Sequence, residues 1–179
     1  MPPLESVSDH LYGIYRDRLY DAQGNLMWDR GWHHNAIVLT CRQLLAGLLR
    51  NATNTLGIQG LQVGRGQPEW DQMGTPPATE IQTALDDPAP VLVTALQFDY
   101  VDETTGNTVP GPTRRLQIKA TLGPGAHLWP TATPPTSTVR EFGLLGRLND
   151  SPVLINYVRH TAIVKDPAST LERTIWLVF

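Results

Sequence analysis

The sequence predicts a mainly β fold: an antiparallel sandwich or rolled sheet with one principal α-helix packed on it. Three observations carry that reading. Apolar and polar residues alternate along "TRRLQIKATL" and "LERTIWLVF", the period of two that marks a half-buried strand. Fifteen Gly and fifteen Pro among 179 residues cut the chain into short segments bounded by turns. One stretch, after Asn35, instead repeats its apolar residues at clear helical spacing.

The elements follow in order. "LYGIYRDRLY" (11–20) and "LMWDRGWHH" (26–34) flank the turn-forming "DAQGN", which predicts a β-hairpin whose second strand runs out near His34. Asn35 is placed to cap a helix over about 36–50. Ile37, Val38, Cys41, Leu44, Leu45, Leu48 and Leu49 would form its apolar stripe. "GIQGLQVGRG" reads as a short strand ending in turn glycines, followed by the loop "QPEWDQMGTPP". "ATEIQTALDD" is a short helix or an irregular connection, and a long strand is expected from Val91. Leu116, Ile118, Ala120 and Leu122 form the apolar side of the next strand. The Pro-rich "GPGAHLWPTATPPTST" is too broken for a central strand. "VREFGLLG" and "PVLINYVRHTAIV" supply further strands. In the last strand Leu171, Arg173, Ile175, Leu177 and Phe179 share one face, and Glu172, Thr174, Trp176 and Val178 the other. Trp176 and Val178 imply that both faces are covered there. The organisation expected is an arm over 1–10 and a single β-rich domain over 11–179.

Composition narrows the function. A hydrophobic fraction of 41% and a charged fraction of 17% suit a globular domain, and a net charge of −3 gives no signature of nucleic-acid or membrane-surface binding. No run of eighteen apolar residues occurs, and the N-terminal residues lack the pattern of a secretory signal, so synthesis in the cytoplasm is expected. Cys41 is the single cysteine, read as a buried thiol, which leaves neither an internal disulfide nor a cysteine zinc site. The sequon at Asn51 is read as accidental. Twelve of the fourteen basic residues are Arg, the side chain suited to planar interface contacts.

Most motifs that could carry chemistry have a simpler structural role. His33 and His34 are neighbours, so on a strand they point to opposite faces and do not suit one metal ion. Their simplest role is to mark a strand-to-helix junction. "VGRG" lacks the Lys-Ser/Thr of a phosphate loop and serves a turn. No GxSxG occurs, and acid pairs such as Asp86-Asp87 lie in turn-like stretches. No catalytic residue, metal or cofactor is therefore expected. Of the five tryptophans, Trp28 and Trp32 are expected to share a strand face. Trp70 and Trp129 lie in loops, where they either anchor a protein or sugar contact or fold back over the core.

Several of these pieces recur in a known order. "W…H.NAIV" leads into "TCRQLLAGLL", then "GLQVGRGQPEWD…PP…EIQTAL", "VREFGLLG", "LINYVRH..IVKD" and "TLERTIWLVF". The chain from about Leu11 to Phe179 resembles the small structural proteins of bacteriophage and prophage tail modules and of phage-derived contractile injection systems. It has "GRG" where relatives tend to have "GTG", and its "HLWPTATPPTST" connection is individual. The resemblance implies a non-enzymatic virion component of a tail, baseplate or fibre-attachment region, a homo-oligomer whose partners are other phage structural proteins. The residues expected at its interfaces are Trp70, Trp129, Arg173, Trp176 and Phe179, with the 1–10 arm and the last strand contacting neighbours. A capsid decoration protein and a carbohydrate-binding module using Trp70 and Trp129 are the alternative readings.

Overall fold

A computed structural model describes residues 11–126, 128–129 and 137–179; the expected arm over 1–10 lies outside the described residues. Chain order is β1 (Tyr12–Tyr20), β2 (Leu26–Ile37), α1 (Leu39–Leu49), β3 (Leu56–Gly64), α2 (Trp70–Met73), β4 (Leu96–Val101), β5 (Thr108–Val109), β6 (Arg115–Leu122), β7 (Ser137–Leu148), β8 (Ser151–Leu154), β9 (Asn156–Lys165) and β10 (Thr170–Val178). The described strands form one antiparallel open sheet in the order β3-β7-β9-β2-β1-β10-β6-β4-β5, with β8 continuing the β9 side of β7.

The sheet rolls over on itself at the join between β2 and β9, where Ala36 and Ile37 pair with Tyr157 and Asn156. This brings β3, β7 and β9 across from β1, β10 and β6. The Tyr15 and Phe142 rings meet edge-on between the two halves, 5.2 Å apart. Leu19, Ile118, Leu122, Leu171 and Ile175 from one half and Leu61, Val63, Leu144 and Ile163 from the other fill the interior. The rolled-sheet architecture read from alternation is thus the architecture observed. The alternation of β10 also holds, with Leu171, Arg173, Ile175 and Leu177 buried on the inner face and Trp176 buried on the outer.

The β1–β2 hairpin forms because Asp21 organises its turn, its side chain accepting from the Gln23 and Asn25 amides at 2.9 and 2.8 Å. Two expectations in β2 are corrected. Gly31 sits at φ +71° in a bulge that the Asp29 carboxylate holds by accepting the Gly31 N–H at 2.8 Å. The inserted residue shifts the alternation, so Trp28 pairs opposite Leu19 and Trp32 opposite Arg16. The two rings therefore lie on opposite faces and do not share one. Asn35 caps no helix. The strand continues through Ile37 because β9 offers it partners, and the helix begins only at Leu39, after Val38 in extended conformation. The Leu39 N–H donates to the Glu80 carbonyl at 2.8 Å, so a distant loop does the work expected of a capping side chain. Asn35 instead lies over Gly13, where any Cβ would overlap its amide.

Helix α1 buries Cys41 and Leu44 against β3, β7 and β8, with Leu44 filling the space that a Cβ on Gly146 would need. Leu48 and Leu49 remain exposed, so the buried stripe is narrower than the sequence pattern. The strand expected from Val91 starts at Leu96. Val93 pairs instead with Leu61, and Ala89 donates to the Val63 carbonyl at 2.7 Å, covering the outer edge of β3. Residues 78–87 form the irregular connection, and the short helix α2 lies earlier, at Trp70.

Candidate assembly surface

The structure does not gather the five expected interface residues into one surface. Arg173 is fully buried between the halves of the sheet; Trp70, Trp129 and Trp176 are buried, and Phe179 is half exposed at the chain end. Trp176 packs on Trp32 (4.4 Å) and under the Arg115 guanidinium (4.9 Å), and its indole N–H donates to Gln117 at 3.0 Å. Trp70 and Trp129 fold back, their rings covered by Arg159 at 5.0 Å and Arg65 at 4.5 Å. Four of the five side chains expected at interfaces are thus buried within the chain itself. They complete the chain's own packing and have little surface left for a neighbour.

Arg173 answers a charge that sequence reading left unpaired. It lies directly opposite Asp17 across the β1–β10 ladder, and both side chains are 0% exposed. Its Nε and Nη2 donate to the two Asp17 carboxylate oxygens at 2.7 and 2.8 Å. Burial pushes the Asp17 pKa up, but the charge and hydrogen bonds of Arg173 outweigh it, and the net shift is downward. His160 on β9 completes the cluster. Its Nδ1 lies 2.8 Å from the Thr161 carbonyl, which can only accept, so the ring proton sits on Nδ1 and Nε2 accepts from Arg173 at 3.0 Å. Burial, then the neighbouring Arg173 charge, lowers the His160 pKa to about 3. Tyr15, beside the cluster, is raised to about 12, chiefly by burial. The Arg173 guanidinium is set over the Phe142 ring at 3.7 Å. This is an interior tie between the halves of the rolled sheet.

A second polar cluster faces the surface and holds the long connection from Arg65 to Ala95. Glu141 on β7 is fully buried. Its carboxylate accepts the backbone N–H groups of Asp86 and Asp87 at 2.9 and 2.7 Å, and the Tyr157 hydroxyl as a third donor. Gly64, opposite Glu141 in the ladder, leaves the room, since a Cβ there would strike the carboxylate. Burial, then the Glu141 carboxylate, raises the Tyr157 pKa. Arg159 ties Asp86 at 3.0 Å and stacks on Trp70, while Arg140 holds Asp71 at 2.9 Å and the Arg65 carbonyl at 3.0 Å. Gly66, at φ +58°, lets the chain turn tightly over the Trp70 ring.

So fixed, the connection projects apolar side chains outward: Met73 is 84% exposed and Ile81 75%. Sequence reading missed Glu141, Tyr157, Arg140 and Arg159. The available signal was a lone acid in the apolar run "VREFGLLG".

The register also settles the histidine pair. His33 is opposite Tyr15 and His34 opposite Ile14, on alternate faces. His33 packs beside the Tyr15 ring at 5.6 Å, with its Nε2 2.7 Å from the Arg30 carbonyl. Among the described residues, no group of three or more His, Cys, Asp or Glu is placed to hold a metal ion, and no helix is long and apolar enough to cross a membrane. Comparison with known proteins finds no matching family model, no matching curated protein and no matching solved structure.

Proposed function

We propose that this chain is a non-enzymatic structural subunit of a phage tail, baseplate or fibre-attachment region, or of a phage-derived injection system, and acts through contacts with other particle proteins. The carrying observation is the clasped connection over 65–95. Glu141, Arg140 and Arg159 fix its backbone while Met73 and Ile81 stay bare. A loop held in place before binding avoids much of the ordering cost of association, and exposed apolar side chains supply area to bury. The resemblance of the motif order to that of small tail proteins favours the same reading, with the virion as its location. The sugar-binding alternative loses support, because the Trp70 and Trp129 ring faces are already stacked by guanidinium groups. Capsid decoration would use a similar surface on a different lattice.

The test is sedimentation of the purified chain with intact particles, separated into tail and capsid fractions. Binding to tails that is lost when Met73 and Ile81 are both changed to Asp supports the proposal. Binding to capsids alone favours decoration. A chain that ignores both fractions overturns it.

A further inference from the structure

The far edge of the sheet carries a second kind of surface. Strand β4 is paired on one side with β6 along Leu96–Tyr100, but β5 covers its other side only at Tyr100 and Val101. From Leu96 to Asp99 that outer side has no strand partner among the described residues.

The parity of this edge is fixed by its neighbours. Tyr100 pairs with Val109 of β5, and two residues on the Asp102 N–H donates to the Asn107 carbonyl at 2.8 Å. The Val101 carbonyl, in contrast, turns toward the β6 side, where the Thr113 hydroxyl donates to it at 2.8 Å. Even-numbered residues therefore point their backbone groups outward. At the bare edge these are the N–H and C=O of Phe98 and the C=O of Leu96, whose N–H turns back to the Thr94 carbonyl at 3.0 Å. The apolar side chains follow the same parity. Leu96, Phe98 and Tyr100 share one face, and Phe98 is 47% and Tyr100 39% exposed.

We infer that this edge pairs with the same edge of a second copy of the chain, antiparallel about a two-fold axis at Gln97. The sequence is complementary to itself in that register. Leu96 of each copy faces Phe98 of the other, so each Phe98 N–H meets the Leu96 carbonyl of the other copy, and four apolar side chains form one cluster. Gln97 faces its own copy, and primary amides both donate and accept, so they satisfy each other. Asp99 faces Ala95, and like charges are not set opposite. β5 keeps its own pairing with Tyr100, because the chain leaves the strand at Thr94 to reach Val93 on β3. A two-fold axis closes the contact and stops the edge from propagating into a fibre.

This pairing deepens the assembly reading by naming one partner and its register, and the two fail separately. Gln97 is exposed, and in this register the two Gln97 Cβ atoms lie about 4.5–5.5 Å apart, near disulfide range. Gln97→Cys under mild oxidation should give a covalent dimer, with the buried Cys41 left out. Asp99→Cys should not, since two residues at that position lie about 13 Å apart across the axis. Sedimentation over a hundredfold concentration range should show a monomer–dimer equilibrium that Phe98→Lys abolishes while the circular dichroism spectrum is kept. A folded chain that is monomeric throughout and gives no Gln97→Cys cross-link overturns the pairing. It does so even if Phe98→Lys loses binding to tails, an outcome that would assign the edge to a different particle protein. A dimer that ignores tails keeps the pairing and sinks the assembly reading.

Discussion

Two carboxylates are fully buried among the described residues, and they do different work. Asp17 faces a charge: Arg173, opposite it on the neighbouring strand, neutralises it inside the rolled sheet. Glu141 faces dipoles: two backbone N–H groups and a hydroxyl, two of the three from a loop more than fifty residues away. The first joins elements that the strand ladder already pairs, and its loss exposes a bare charge to the core. The second is one of the ties between an irregular segment and the sheet, and its loss loosens that segment without undoing a ladder. Burial alone therefore does not say what a polar group is for. What the partner belongs to does.

Breaking the first tie should have the largest effect. Arg173→Met leaves the Asp17 carboxyl unpaired in the interior, at a cost of about 3–5 kcal/mol. Chemical denaturation should show this as a lower midpoint with an unchanged slope. The contrast sharpens with the double variant Asp17→Leu/Arg173→Met. Replacing both charges by apolar groups should recover most of the loss, since a buried pair is worth much less than the penalty of breaking it. A double variant as unstable as the single one would show that the pair itself, and not only the penalty of breaking it, contributes to stability.

His160 gives the same region a pH signature. Its pKa falls to about 3 in the folded protein against about 6.5 in an unfolded chain. Between those values the unfolded state takes up a proton that the native state refuses, so stability is full above about pH 6.5 and is lost as pH falls toward 3. The slope is about 1.4 kcal/mol per pH unit for one proton. Asp17, whose folded pKa is lowered, adds its own loss only below its unfolded value near 3.8. Between pH 6 and 4.5 the acid dependence therefore belongs chiefly to His160, and His160→Gln should flatten it. An unchanged slope in that variant would place the titrating group elsewhere.

The sequence showed one half of each tie. Arg173 was visible as a charge on the apolar face of the last strand, but Asp17 lies 156 positions earlier, and pairing across that distance is set by sheet order, not by local pattern. Arg173 was accordingly assigned outward, to a neighbour. The strand alternation of β6 and β10 was legible because every residue there answers to a period of two. Asn35 misled, since a good capping residue before a helical run says nothing of β9 waiting to extend the strand. Trp28 and Trp32 misled because one bulge at Gly31 resets the alternation. The clasp was the least legible of all. Glu141 binds backbone amides, and backbone amides have no sequence.

Glu141→Gln is the smallest of the three changes and the one that divides the two regions most cleanly. The amide keeps one acceptor oxygen but turns its NH2 toward a donor that the carboxylate had accepted, either a backbone N–H or the Tyr157 hydroxyl. Hydrogen bonds to charged groups contribute about 1.5–3 kcal/mol each, and the variant retains part of the set, so a loss of about 1–2 kcal/mol is expected. The loss should be local. Amide hydrogen exchange at Asp86 and Asp87 should speed up by about five- to thirtyfold, and exchange at Ile118 and Ile175, deep in the ladders, should hardly change. The connection should also become open to protease between Met73 and Leu85 while the sheet stays intact. If exchange instead rises equally in the loop and in the ladders, the two buried carboxylates belong to one cooperative unit, and the loop is part of the core that it was thought only to decorate.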